Sequence, residues 1–375
     1  MSDESWFPRS LLADRLRLRG SVGQAGLPPG TTAAITFLST LTYPSQGGES
    51  PGLVLQQLGN LELQPEVTTE YEGGFDLGMF GDRVNLEATY FAKIAKNELF
   101  QQPLPPSSGT GAGSQWVNLA RVDNKGYELS LDARVFDSQL LSWNTRLSGS
   151  HVKNKLVDIG KVQLAQPQGA RNVVGYPLFG LWDRPYTYND ANGDGVIVPS
   201  EITLAAADSF KGSTLPEYEA SLANNISLFR NRVHLNALMD YRGKFWNSYT
   251  IGSNRCVSAA NCAAINVAGS PLDEQAAAVA AATGALRNTR WGIFQPNDFI
   301  KLREVSVALD APNSFVNRYL HGRGAQLVLS GRNLATLWTK YPGIDPEANR
   351  QANGNDDLGT PPAIRYWLAR LNISF

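Results

Sequence analysis

The chain ends on IRYWLARLNISF (364–375), and this stretch sets how the rest is read. Phe375, Ile373, Leu371, Ala369 and Trp367 fall on one face of an extended segment. Ser374, Asn372 and Arg370 fall on the other, with Leu368 the exception. Such period-two alternation marks a strand whose two faces meet different surroundings. A chain end in water frays and carries no such pattern, so the last strand reads as docked.

The same alternation recurs upstream. In RVNLEATYFAKI (83–94), Val84, Leu86, Ala88, Tyr90, Ala92 and Ile94 oppose Arg83, Asn85, Glu87, Thr89 and Lys93, joined by Phe91. GYELSLDARV (126–135) and RVHLNALMDYRGKF (232–245) repeat it. Between Leu302 and Val305 the pattern changes phase, which predicts a β-bulge. These runs exceed the usual strand length of about 5–6 residues. Long strands with one apolar and one charged face fit a barrel wall between lipid and a polar lumen.

Composition agrees. Charged residues make up 18% of the 375 and aromatics 10%, with 35 Gly and 21 Pro, as in an all-β chain with many turns. The net charge of −1 offers no basic field for nucleic acid. No apolar run approaches the roughly 18 residues of a membrane helix; the Ala-rich 274–286 reads as a short surface helix. MSDESWFPRS (1–10) has no signal-peptide pattern.

Connection lengths alternate. Tight turns are predicted at 80–82, 137–140 and 230–231, with a medium connection at 311–324. Long loops are predicted at about 25–60, 101–114, 154–215, 249–296 and 337–362. Bacterial outer-membrane barrels put short turns on the periplasmic side and long loops outside. Ten strands follow: 14–24, 62–79, 83–99, 115–136, 141–153, 216–229, 232–247, 297–310, 324–336 and 363–375, with room for one more pair in 160–185. Phe136, Trp143, Phe229, Phe245, Trp246, Trp338 and Trp367 lie near strand ends, where interfacial girdles place aromatics; the competing reading is their ordinary enrichment in strands.

FIKLREVSVAL (299–309), LVLSGRNLATLWTKYPGIDPEANR (327–350) and the closing Phe375 together resemble SusC/RagA-like TonB-dependent receptors. SGRNL (330–334) followed by YPGIDPE (341–347) is the most specific match. LQPEVTTEYEGGFDLGMFGDRVNLEATYF (63–91) and VDNKGYELSLDARV (122–135) resemble the family's mid-barrel strands, and DESWFPRSLLADRLRLRGSVGQAG (3–26) an internal family segment. The resemblance implies an all-β antiparallel transmembrane β-barrel fragment over 1–375, some 10–12 strands of a roughly 22-stranded barrel of the kind that is plugged. Signal peptide, TonB box and plug domain are not seen here, so a truncated or partial gene product is expected. An open sheet in lipid would leave two unpaired edges, at several kcal/mol per unsatisfied backbone group.

The resemblance further implies uptake of oligosaccharides or peptides across the outer membrane and no enzyme. The expected partners are a TonB–ExbB–ExbD energising complex, a SusD-like lipoprotein lid, the barrel-assembly machinery and outer-membrane lipid. Trp367, Leu371, Ile373 and Phe375 then resemble the assembly signal. A soluble, lectin-like all-β module and a small self-contained porin-like barrel are the alternatives.

Two loop motifs carry further chemistry. DANGDGVIVPSE (190–201) matches a calcium-loop pattern: side-chain oxygens from Asp190, Asn192 and Asp194, a turn at Gly195, the Val196 carbonyl, an apolar anchor at Ile197, and Glu201. No cofactor is otherwise required, and ordinary turn material is the rival reading. Cys256 and Cys262, six residues apart in an outer loop, are expected to pair outside the cytoplasm; two free thiols are the alternative. His151, His234 and His321 are scattered, the first two expected on polar strand faces and none in a metal cluster. GTGAGS (109–114) reads as a loop tip and Asp345 and Glu347 as turn residues. Loop aromatics Trp182, Tyr186, Tyr188, Trp246 and Tyr249 are candidates for stacking on sugar rings or for loop packing.

Overall fold

A computed structural model describes residues 13–45, 48–104, 107, 114–160, 169–282, 289–348, 357 and 359–375. The loop tip at 109–113, residues 1–12 and residues 283–286 of the Ala-rich stretch lie outside the described residues.

Ten strands form one antiparallel sheet in sequence order: β1 (Arg15–Leu27), β2 (Glu66–Met79), β3 (Val84–Pro103), β4 (Ser114–Asp137), β5 (Leu141–Asp158), β6 (Tyr218–Leu228), β7 (Val233–Gly243), β8 (Phe299–Asp310), β9 (Gly324–Thr339) and β10 (Tyr366–Ser374). Every predicted strand is present. The sheet is open, because β1 and β10 are its two edges and do not pair with each other.

Directly paired residues share a face, so the register shows what each face holds. Leu77, Leu86, Leu131, Leu147, Leu222 and Met239 form one continuous row across β2 to β7. Val307 of β8, Leu329 of β9 and Ala369 of β10 continue another. These side chains are not packed under a second layer: Leu129, Leu147, Leu329, Leu371 and Trp367 are all exposed. A lectin-like sandwich would bury this face against a second sheet. An exposed apolar face of this extent calls for hydrocarbon as solvent. The 11 residues of β6, tilted as barrel strands are, rise about 25 Å, the height of an outer-membrane apolar band.

The other face is charged and cross-linked. Arg19 pairs with Asp76, Lys93 with Glu70, Arg146 with Asp132 and Arg332 with Glu304, each at 2.6–2.9 Å. Phe91, the exception in β3, lies opposite Gly126, and its ring covers the space a Cβ there would take. The phase change in β8 is a bulge in which Arg303 has no direct partner on β7 or β9.

Aromatics mark both margins of the apolar band. Tyr90, Tyr127, His151 and Tyr218 form one row toward the long loops, with rings 5.1 Å apart for Tyr90–Tyr127 and 4.6 Å for His151–Tyr218. Phe136 stacks on Trp143 near the short turns, and the Trp143 indole donates to Asn224, the polar intruder on the apolar face. His151 therefore belongs to the aromatic row and not to the polar face expected from sequence. Phe245 is buried and Trp246 lies in a loop cavity, so neither is a girdle residue: the chain has already left the wall there, at Lys244, whose φ is 60°.

Short turns close β2–β3, β4–β5 and β6–β7, and residues 311–323 join β8 to β9 through Asn313–Phe315 and Val316–Leu320. Phe229, Arg230 and Asn231 all have positive φ, as tight hairpins demand. The long loops fold over the polar face. Leu178 packs with Ala95, Val122 and Leu156, while its N–H donates to Asn154. In the 160–185 segment, where one more pair of wall strands is expected, residues 161–168 lie outside the described residues, and Gly169–Arg171 and Gly180–Asp183 join Ser209–Ser213 in a small separate sheet. Loop 25–60 carries a hairpin of Phe37–Ser45 and Gly48–Gln57. The Ala-rich helix α1 (Leu272–Ala281) is not a surface helix: Ala276 and Ala280 are buried against Ile197 and Ile202.

Candidate functional site

Above the rim of β7 and β8 the chain continues as two short paired strands, Trp246–Ser248 and Phe294–Pro296. These hold Trp246 and Trp291 at the edge of a cavity of about 720 Å³. Tyr186, Tyr188 and Tyr249 also line it, so four of the five aromatics singled out in the sequence converge on one space. The fifth, Trp182, is buried between Tyr176 and Phe210 and serves packing.

Lys211 enters this cavity as a cation between two indoles, its Nζ 4.3 Å from the Trp291 ring centre and 5.0 Å from that of Trp246. Burial lowers its pKa, and among the described residues no carboxylate pairs with it. Burial also pushes the Tyr186 phenol up to about 12, with help from Tyr188 and Asp273, so it remains a hydrogen-bond donor at neutral pH. The floor is braced by the disulfide between Cys256 and Cys262 and by Tyr249 packing edge-on to Tyr341 at 5.8 Å. Arg255, Asp273 and Glu274 also line the cavity, and flat aromatic surfaces beside such charges bind ring faces and polar or anionic oxygens. Lys211 carried no recognisable motif; its two indoles come from distant loop segments.

In the 190–201 loop the carboxylates accept from the loop's own N–H groups. Asp190 accepts from the N–H groups of Asp194 and Gly195, Asp194 from that of Val196, and Glu201 from those of Ala191 and Val198. Gly195 takes the positive φ (75°) of the turn. Ile197 is buried, and Gln275 of α1 clamps the loop by accepting from the Ile197 N–H and donating to the Gly195 carbonyl. The strand Tyr186–Tyr188 enters the loop and the 3₁₀ turn Pro199–Glu201 leaves it. Among the described residues no three His, Cys, Asp or Glu side chains form a metal-holding group by themselves.

Asp345 and Glu347 do more than turn the chain. Lys301 on the polar face of β8 meets Asp345 at 2.6 Å and Glu347 at 2.9 Å, and Arg303, the bulge residue, joins Glu347 to Asp240. Burial alone would raise Glu347, but hydrogen bonds from Arg303 and Lys301 and their charges hold it at about 2. The last long loop is thus fastened to the inner wall. Nearby, the wall itself lines a polar trough of about 530 Å³, with Arg19, Glu128, Asp240 and Arg242 among its residues.

His234 bridges Ser227 and Asp310 on the polar face, and His321 lies in the β8–β9 connection with φ 50°. The three histidines stay apart. On β10, Trp367, Leu371 and Ile373 share the apolar face, and Phe375 is 78% exposed one residue past the strand.

An antiparallel wall with an exposed apolar band, aromatic margins, short turns on one side and long loops on the other defines a membrane β-barrel protein. The family model "TonB dependent receptor-like, beta-barrel" matches residues 1–255, and the chain belongs to that family. It is 24% identical over its whole length to TonB-dependent receptor P3 and 25% identical to TonB-dependent receptor P26, both of Formosa agariphila (strain DSM 15362). In each case the chain spans 41% of the relative's length. The fold matches that of the RagAB peptide transporter with a TM-score of 0.79 at 18% identity, over 99% of this chain and 42% of that one. It also matches RagAB in its "closed-closed" state, with a TM-score of 0.76 at 20% identity, over 98% and 42% of the two chains. The SusC/RagA-like resemblance is thereby shown, and these relatives are receptors and transporters.

Proposed function

We propose that this chain is barrel wall and outer-loop binding surface of an outer-membrane TonB-dependent receptor that imports oligosaccharides or peptides. The aromatic cavity around Lys211 carries this reading. It lies among the long loops over the polar face, where an incoming ligand arrives, and it suits ligands that combine a flat apolar surface with a carboxylate, sulfate or carbonyl. Energy comes from a TonB–ExbB–ExbD complex acting through the rest of the receptor, and a SusD-like lipoprotein covers the loops as a lid. The β10 residues Trp367, Leu371, Ile373 and Phe375 engage the barrel-assembly machinery. Trp246→Ala and Lys211→Met in the full receptor test the reading, with uptake of labelled oligosaccharide and peptide mixtures as the measurement. Both variants are expected to lose uptake while still reaching the membrane; undiminished uptake in both would remove the cavity from the transport route.

The 190–201 loop serves the same surface as a calcium site, with Asp190, Asn192, Asp194, the Val196 carbonyl and Glu201 as ligands. Extracellular sites of this type bind with Kd of about 10⁻⁴–10⁻³ M. The match of residue types to the calcium pattern, together with the Ile197 anchor, supports it. Calorimetry should show heat with millimolar calcium that Asp190→Asn/Glu201→Gln abolishes; no heat with the parent protein would refute it.

A further inference from the structure

The apolar face changes character just beyond the upper aromatic row. Two residues above Tyr90, Tyr127 and His151, the register places Ala92, Lys125 and Lys153 side by side. Two residues higher come Ile94, Asp123 and Lys155, with Lys96 and Arg121 next. Their in-between neighbours Ala95, Val122 and Leu156 are buried under the loops together with Leu178, so the lysines project from the opposite, outer side. Lys96, Lys125, Lys153 and Lys155 are all exposed, and among the described residues none has a carboxylate partner. Of the acidic groups nearby, Asp123 is held by Arg121 at 2.7 Å, and Asp158, opposite Arg121, accepts from the Gly160 N–H. Arg121 offsets Asp123, so Lys125, Lys153 and Lys155 face the single carboxylate of Asp158, with Glu98 beyond Lys96 at the far end, and the patch is net positive.

Its height identifies what it meets. With a tilted strand, two residues rise about 5 Å and four about 10 Å. The headgroup layer above the hydrocarbon is itself roughly 5–7 Å thick, so Lys125 and Lys153 lie within it and the long side chain of Lys155 reaches down to it. We propose that Lys125, Lys153 and Lys155 form a docking site for a lipid with a phosphate-bearing headgroup, in the leaflet on the long-loop side. Lysine acts here as a point charge toward phosphate, and such basic juxtamembrane groups gain from anionic lipid additively. Continuity with the aromatic row favours lipid over a protein partner, because a headgroup is what adjoins that row all around a barrel. The inference needs only that the wall spans a bilayer; it is independent of the cavity and its ligand.

The test uses the full-length receptor in nonionic detergent micelles, with diphosphorylated lipid A and its dephosphorylated counterpart as probes and bound lipid counted by native mass spectrometry. The phosphorylated probe should be retained at least tenfold more strongly. That preference should fall about tenfold or more in Lys125→Gln/Lys153→Gln/Lys155→Gln and shrink with added salt. Heat-modifiable gel mobility reports folding, and the three single variants serve if the triple variant does not fold. Equal retention of both probes, or a preference undiminished in the variants, overturns the proposal. So does full competition by millimolar inorganic phosphate, which would mark a free-anion site, or loss of the preference whenever a co-purifying protein is stripped away.

Discussion

Replacing Lys301 with methionine should release the last long loop from the wall. The Lys301 and Asp345 side chains are only 8% and 9% exposed and meet at 2.6 Å. Breaking a buried pair by removing one partner costs about 3–5 kcal/mol, because a charge is left buried without compensation. Glu347 keeps Arg303, and Asp345 keeps the Glu347 N–H, so the lower end, about 3 kcal/mol, is expected. At 1.4 kcal/mol per tenfold, that makes amides of residues 340–348 exchange roughly 150-fold faster with solvent. Lys301→Met/Asp345→Leu removes both charges and should recover most of the loss, to within about 1 kcal/mol of the parent. Hydrogen exchange read by mass spectrometry on the receptor in micelles gives both numbers. Unchanged exchange in Lys301→Met, or a double variant as labile as the sum of the single ones, would show that the ion cluster does not hold the loop.

Other outcomes follow from neighbouring features. As pH falls, Glu347 should lose its hold: a carboxyl kept at about 2 in the folded loop, against roughly 4.3 unfolded, contributes stability fully above the unfolded value and loses it on approach to the folded one. Exchange in 340–348, corrected for intrinsic rates, should thus accelerate between about pH 4.5 and 2, and less so in Glu347→Gln. Reducing the Cys256–Cys262 bridge should cost about 2 kcal/mol locally, seen as faster exchange in 254–266, while the denatured unreduced protein should titrate with no free thiol. Gly212→Ala would drive a methyl into the Trp246 ring; overpacking of about 1–3 kcal/mol should shift that indole, with a change in tryptophan fluorescence and weaker ligand binding.

The wall was legible because its code is local. Alternation in 83–94, 126–135, 232–245 and 364–375 assigns each side chain to a face without knowledge of any neighbour. Even the slip between Leu302 and Val305 foretold the bulge at Arg303. The loop roles were only partly legible. Ile197 could be read from its place in the calcium pattern, but Gln275, which clamps that loop, belongs to a helix whose sequence resembles surface filler. Asp345 and Glu347 looked like turn residues because Pro342, Gly343 and Pro346 surround them; their cationic partners lie on β8.

By itself, then, the sequence determined an antiparallel wall with a lipid-suited face and a charged face, the order of its ten strands, and which connections are long. Only the tertiary structure decided that Lys211 stands between Trp246 and Trp291, that His151 joins the aromatic row, and that three lysines gather just above it. Faces follow from a two-residue repeat written along the backbone. Meetings between loops, and rows across strands, depend on register and on where each strand leaves the wall, which distant segments set together.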